Sequence, residues 1–316
     1  MLPDNIRPHR SKKVLFIGET NPSIFPFRPY AYNFYKYLVK MGHQVRAIGS
    51  ETIPGEIPFG YPELLKHCPG FHPDLILSVE SYPISLRFDP NSLIGRVSIP
   101  TVFLSLDTLI RYENHARIGN CFDYVFITHL DYLAYFQQYC RAKTFWLPYA
   151  CDPETQRSLS QAEPYDLGFV GTCWSVPELY QNRIYYLSSL QKLFKCWFKE
   201  WATSEEIAQI YSNCKIVFNF GEGNGVNPRI FEALSYGKLL LTNRTAALGT
   251  ILTDKAHLVF YDDLPGLIQL IRYYLNHPAQ RQKIAARGQN RVWHKHTFYH
   301  RIDVMMRRIF GEGAYL

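Results

Sequence analysis

The chain alternates short apolar runs with longer stretches in which apolar residues recur every three or four positions, the rhythm of strands and helices taken in turn. In the first half, Val14–Ile17, Val45–Ile48, Leu75–Val79, Thr101–Leu106 and Tyr124–Ile127 read as strands, and Tyr32–Met41 as a helix closed by Gly42. In the second half, strands are expected over Asp166–Gly171, Lys215–Phe220, Leu239–Thr242 and His257–Tyr261. Helices are expected over Asn182–Lys195, Ser204–Tyr211, Leu264–Asn276, Ala279–Val292 and Phe298–Phe310. Trp197–Trp201 fits a strand or a loop. Strands alternating with helices imply parallel sheets covered on both faces. The expected fold class is therefore α/β, with two doubly wound Rossmann-like domains facing each other across an interdomain cleft. The length of 316 residues suits this, at about 150 residues per domain. The expected boundaries are 1–148 and 149–295, with 296–316 a terminal helix packing back toward the first domain.

Composition narrows the class. A 47% hydrophobic content supports full cores. The net charge of +7 favours anionic ligands, but the basic residues are scattered and no nucleic-acid motif is present. The cysteines at 68, 121, 140, 151, 173, 196 and 214 are widely spaced, with no zinc spacing, and read as free thiols of a reducing compartment. Met1–Lys13 is polar and basic, and no apolar run reaches about 18 residues, so the expectation is a cytoplasmic protein without a membrane span.

The chemistry concentrates between Gly221 and Thr242. A buried strand leads into Gly-Glu-Gly-Asn-Gly, and a helix then opens with Asn227 as N-cap and Pro228 at its first position. Backbone N–H groups at a helix start attract phosphate. Arg229 adds a planar cation, and Glu232, one turn on, has the reach to accept two hydrogen bonds from a ribose diol. The competing account is an ordinary helix start, with Arg229 and Glu232 paired on its surface.

Three segments together resemble the GT-B fold glycosyltransferases, and within them the CgeB-like (spore maturation protein-like) group near the glycosyltransferase family 1/4 clan. They are Tyr165–Thr172 followed by Arg183, Asn224–Glu232 with Ala233–Thr242, and Ile284–Gly288 through His296 and Arg301. The resemblance implies a metal-independent, hexosyl-type transfer from a UDP or dTDP sugar, used as co-substrate with no cofactor, to an acceptor hydroxyl of a glycan, protein or small molecule. It implies donor binding by Gly171, Thr172, Arg183, Asn224, Gly225, Val226, Asn227, Arg229 and Glu232. The clan signature is Glu, seven residues, Glu; here Asn224 stands in the first place and Glu232 in the second.

Arg183 is expected to face the departing diphosphate, and no metal-binding Asp-x-Asp occurs. In the first domain Glu19, after strand one, and Asp107, after Thr101–Leu106, are the candidate catalytic carboxylates, Asp107 competing with a helix-capping role. Glu80, Ser81 and His129 also follow strands. Phe25, Phe27, Tyr30 and Tyr32 could stack on acceptor sugars or pack the core. Arg301, Arg307 and Arg308 could touch an anionic membrane or lie on a packed helix. Rival functions are a nucleotide-sugar epimerase or hydrolase of the same fold, and a non-catalytic carbohydrate-binding or spore-coat-type protein.

Overall fold

The computed structural model describes residues 10–23, 29–53, 58–81, 87–159, 162–223 and 225–311. The chain divides into two compact units, Met1–Pro148 with Phe298–Leu316, and Tyr149–Thr297.

Unit 1 holds a six-stranded parallel sheet of β1 (Lys13–Ile17), β2 (Gln44–Ile48), β3 (Leu75–Val79), β4 (Thr101–Ser105), β5 (Tyr124–Ile127) and β6 (Lys143–Trp146), in the order β2-β1-β3-β4-β5-β6. The register sets Leu15 beside both Arg46 and Ile76. β3 and β4 are buried at every residue, as their largely apolar sequences suit strands covered on both faces. The helices are α1 (Tyr30–Lys40), α2 (Tyr61–Lys66), α3 (Thr108–Gly119), α4 (Leu133–Tyr139) and, from the far end of the chain, Phe298–Phe310. The last of these packs on α1, where Phe298 meets Tyr30, Phe34 and Tyr37 at ring separations of 5.1, 5.4 and 5.7 Å. Tyr30 is thus a core residue rather than a groove lining; Phe25 and Phe27 lie outside the described residues. The basic residues of that helix are engaged within the unit. Arg301 donates to the Pro148 carbonyl at 2.6 Å, Arg307 pairs with Asp303 at 3.0 Å, and Arg308 lies 5.0 Å over the Phe145 ring. Among the described residues, no helix is long and apolar enough to cross a membrane.

Unit 2 holds a five-stranded parallel sheet of β7 (Tyr165–Val170), β8 (Cys196–Lys199), β9 (Cys214–Asn219), β10 (Leu239–Asn243) and β11 (Val259–Tyr261), in the order β11-β10-β9-β7-β8. Its helices are α5 (Gln181–Gln191), α6 (Ser204–Ser212), α7 (Pro228–Ser235), α8 (Ala246–Gly249), α9 (Leu264–Asn276) and α10 (Pro278–Lys295). Written from its first strand, this is the order of the leading five strands of unit 1. In both units the first strand lies between the second and third, so winding reverses there. Such reversals open a crevice at the carboxyl ends of the strands, where open α/β sheets take ligands.

One strand departs from the sequence expectation, and a second takes the strand alternative with shifted bounds. Lys143–Trp146 was not expected, because Lys-Thr-Phe-Trp has no apolar run; it is an edge strand, only partly buried. Cys196–Lys199 is likewise an edge strand of intermediate exposure throughout, and the chain leaves it at Glu200. The helix expected to reach Lys195 ends at Gln191, so that the chain can turn into β8.

Candidate functional site

In unit 2 the reversal lies between β7 and β9, and the glycine-rich segment leaves β9 there. Asn219, the last residue of β9, organises it. Its side-chain amide donates to Thr242 Oγ1 at 2.8 Å, and its Oδ1 accepts from Asn227 Nδ2 at 3.1 Å and from Arg229 Nη1. Its main-chain carbonyl accepts from the buried Tyr261 hydroxyl at 2.7 Å. Gly221 exchanges two bonds with the Asn243 side chain, at 2.8 and 2.9 Å, which ties the turn to β10. Gly223 has φ +59°, a conformation that favours glycine.

Helix α7 starts from this turn and is buried from Arg229 through Ser235. Asn227 is its N-cap residue, but its side chain does not cap; the amide turns back to Asn219. Its Oδ1 is buried without a hydrogen bond among the described residues. Gly225 and Val226 are buried and Asn224 lies outside the described residues.

Both arginines are built into the backbone. Arg229 donates through Nε to the Val170 carbonyl, at the end of β7, and its guanidinium lies 4.4 Å over the Phe169 ring. A Cβ at Gly171 would land on that guanidinium, which explains the glycine. Arg183, on α5, donates through Nε to the Phe220 carbonyl at 3.1 Å and through Nη1 to the Thr172 carbonyl, and stacks 4.3 Å over Tyr180. Together they lock the exits of β7 and β9 side by side and set two positive charges at that edge. Neither is a surface arginine: Arg183 is 6% exposed and Arg229 3%. Glu232 is equally buried, and α7 carries no exposed pairing of Arg229 with Glu232.

Two carboxylates not expected from sequence belong to this edge. Glu200, just past β8, accepts from the N–H groups of Cys173 and Ser175 and so shapes the loop after Thr172. Glu222 lies in the turn itself. Burial pushes its carboxyl up from the ordinary range, the Arg183 charge and N–H opposing. One of its oxygens is buried without a hydrogen bond among the described residues.

In unit 1 the reversal lies between β1 and β3. Glu19 is buried there, its carboxylate taken by the Ser50 hydroxyl and N–H, and its own N–H donates to Ser81 Oγ at 2.9 Å. Asp107 is exposed at the start of α3 and makes no side-chain cap. Its N–H, with that of Leu106, instead donates to Glu80 Oε2 at 2.8 and 2.7 Å. Glu80 Oε1 faces His115 Nε2 at 3.3 Å, and His115 Nδ1 meets Ser105 Oγ at 2.8 Å. Burial raises the Glu80 carboxyl, but the His115 bond and charge and the two N–H donors outweigh it and hold it below the ordinary range. His129 Nδ1 lies 3.1 Å from Thr128 Oγ1, which is itself 3.3 Å from Thr108 Oγ1.

Residues 155–307, just under half of the chain, match a protein-family model described as glycosyl transferase-like. No curated protein sequence matches the chain. Solved structures do match, over nearly the full length. HepE of Anabaena, in complex with UDP and glucose, is 13% identical with a TM-score of 0.60, covering 94% of this chain and 99% of its own. Sucrose-phosphate synthase of Thermosynechococcus elongatus is 13% identical with a TM-score of 0.60, covering 95% and 99%. A glycosyltransferase of Rickettsia africae is 10% identical with a TM-score of 0.61, covering 96% and 100%. The fold is that of the GT-B glycosyltransferases. At such identities the likeness fixes the fold alone; what a GT-B chain does is argued from its site.

Proposed function

We propose that the protein is a glycosyltransferase that moves a hexosyl group from a UDP-sugar to an acceptor hydroxyl, with unit 2 holding the donor and unit 1 the acceptor. The observation that carries this is the edge of β7 and β9, where a glycine turn, the start of α7 and two fixed guanidiniums converge. It is supported by the glycosyl transferase-like match over 155–307 and by a GT-B neighbour that holds UDP and glucose. The resemblance of segments 165–172, 224–242 and 284–301 to the CgeB-like group supports assigning it there. Uridine is preferred to thymidine on the strength of that neighbour.

In this reading the N–H groups of the turn and the first turn of α7 bind the diphosphate, and Glu232 holds the ribose. Arg183 and Arg229 act mainly by fixing the backbone that makes those contacts, and by their field. The acceptor oxygen bonds to the anomeric carbon as the bond from that carbon to the diphosphate breaks, and the hydroxyl proton leaves to a base. Charge grows on the leaving diphosphate, where preorganised donors act best. Glu222 supplies a carboxylate two residues before Asn224 in sequence, the position that the clan signature would make an acid. We propose that transfer needs no metal, since the helix start and the arginines supply the positive field.

The test is calorimetry and thermal shift with UDP. A ligand at 100 times its Kd adds about 2.7 kcal/mol to folding. Glu232→Ala is expected to abolish that gain, and transfer is expected to persist in EDTA. A chain that binds neither UDP nor another nucleoside diphosphate sinks the proposal.

A further inference from the structure

Asp107 opens α3 at the carboxyl end of β4, and the peptide unit before it is gripped from both sides. The N–H groups of Leu106 and Asp107 donate to Glu80 Oε2 at 2.7 and 2.8 Å, and the Leu106 carbonyl accepts from Thr128 Oγ1 at 2.8 Å. Glu80 is itself anchored. Its N–H donates to the Leu104 carbonyl at 3.0 Å, and its other carboxylate oxygen lies 3.3 Å from His115 Nε2. His115 stands on α3 beyond Arg111, where that helix leaves helical geometry at φ −125° and ψ 19°. One carboxylate thus holds both the start of α3 and the body of the helix past its kink.

We infer that Glu80 is a positioning residue, which sets the candidate base Asp107 for proton transfer from the acceptor hydroxyl; this rests on the glycosyltransferase reading and names the group behind one of its steps. In that step the Asp107 carboxylate takes the proton as the acceptor oxygen bonds to the anomeric carbon, and the diphosphate leaves with the electron pair of the broken bond. An aspartate at a helix start ordinarily uses its side chain to cap the helix. Its own N–H is ordinarily taken by a glutamate or glutamine three residues on. Here that third position is Ile110, which has no such group, and the side chain of Asp107 makes no cap. Glu80, delivered from the end of β3, takes the N–H instead, so Asp107 stays exposed at the strand end with its backbone fixed. A general base works only within hydrogen-bond reach of the proton it takes, which makes the placing of its backbone part of the chemistry.

Buried hydroxyls hold the far side of this brace. His115 Nδ1 meets Ser105 Oγ at 2.8 Å, Ser105 Oγ meets Thr108 Oγ1 at 2.8 Å, and Thr108 Oγ1 lies 3.3 Å from Thr128 Oγ1. Ser105, Thr108 and Thr128 are all buried. They close a ring through β4, α3 and the exit of β5 back to the Leu106 carbonyl, so neither grip on the peptide moves alone. Burial opposes the charge on Glu80, but His115 and the two N–H donors outweigh it, and hydrogen bonds to a carboxylate are the stronger kind. A base held in this way needs no ordering when the acceptor arrives.

The experiment uses the full chain. UDP release from UDP-glucose is followed with methyl glycosides and with water as acceptors, and amide exchange is followed by NMR. Glu80→Ala is expected to lower the protection of the Leu106 and Asp107 N–H groups by about tenfold or more, as loss of a hydrogen bond to a charged group does. The amides of β1 to β6 should keep theirs. The same variant is expected to lower kcat by about tenfold to a hundredfold, the effect of misplacing a reacting group by about 1 Å, with UDP affinity and acceptor KM little changed. Glu80→Gln, whose amide oxygen still accepts from both N–H groups, is expected to restore most of both losses. Thr128→Val keeps the side-chain shape but removes the opposite grip; it is expected to act in the same direction, and it carries the test if Glu80→Ala does not fold. Asp107→Asn is expected to lower kcat by about a hundredfold or more. Glu80→Ala added to it should cost nothing further, because Glu80 acts through Asp107. A double variant slower by the full Glu80→Ala factor, an Asp107→Asn variant with undiminished kcat, or a kcat that ignores both Glu80→Ala and Thr128→Val overturns the positioning role while the transferase reading stands. UDP binding with no release from UDP-glucose overturns it too and leaves only the donor site. A chain that neither binds UDP nor releases it overturns both.

Discussion

At the scale of single residues, the Gly171–Arg229 contact decides most about the donor edge. Adding one methyl at 171 forces the guanidinium from its place against Val170 and Asn219. Overpacking of this kind costs about 1–3 kcal/mol, and a displaced buried cation adds to it. Gly171→Ala is therefore expected to lower the urea midpoint and weaken UDP binding together, read by denaturation and calorimetry on one preparation. His129 gives a separate prediction in pH. Burial pushes its imidazole down from 6.5 to about 4, with Asp131 opposing. The unfolded chain takes up the proton as pH falls through 6.5, while the folded chain resists until about 4. Stability is thus lost as pH falls across that window, by up to about 3 kcal/mol at 1.36 per unit. His129→Gln should flatten this loss, measured as urea midpoints between roughly pH 7 and 4.5.

At the scale of elements, the strands dense in apolar residues were legible because burial on both faces demands that density: Val14–Ile17, Leu75–Val79 and Tyr124–Ile127 all fall where expected. The edge strands were not, since a half-covered strand can carry Lys143 and Thr144 without cost. The start of α7 was legible from Asn227-Pro228, but the use of Asn227 was not. Its amide finds Asn219, eight residues back, and only the fold shows that a buried Arg229 needs that same oxygen. The Ser105, His115 and Glu80 network escaped notice because its members come from β4, α3 and the end of β3, and no periodicity links them. Gly288 is another case. It interrupts α10, where alanine would favour the helix by about 1 kcal/mol. Yet a Cβ there would strike the His257 carbonyl and come within 2.8 Å of Leu234 Cδ2. Packing outweighs propensity, so Gly288→Ala is expected to destabilise unit 2 by about 1–3 kcal/mol, read by chemical denaturation.

At the scale of the whole molecule, the chain crosses from unit 1 to unit 2 and then returns one helix, Phe298–Phe310, to the unit it left. That helix buries Phe298, Ile302, Met305, Met306 and Ile309. Each such side chain contributes about 1.5–3 kcal/mol by leaving water. Five of them approach the total of about 5–15 kcal/mol that holds a domain folded. Unit 1 therefore depends on the last segment of the sequence, and its folding cannot be complete until unit 2 has been made. Phe298 is the centre of this dependence, touching three rings of α1. Phe298→Ala is expected to cost unit 1 about 3–5 kcal/mol, as large-to-small changes in a packed core do. Hydrogen exchange reads the two units separately. Amides of β1 to β6 should lose protection by roughly a hundred-fold to a few thousand-fold, following about 1.4 kcal/mol per tenfold, while those of β7 to β11 keep theirs. Equal loss in both sheets would mean that the two units open as one, and the returning helix would then be a property of the whole chain and not of unit 1.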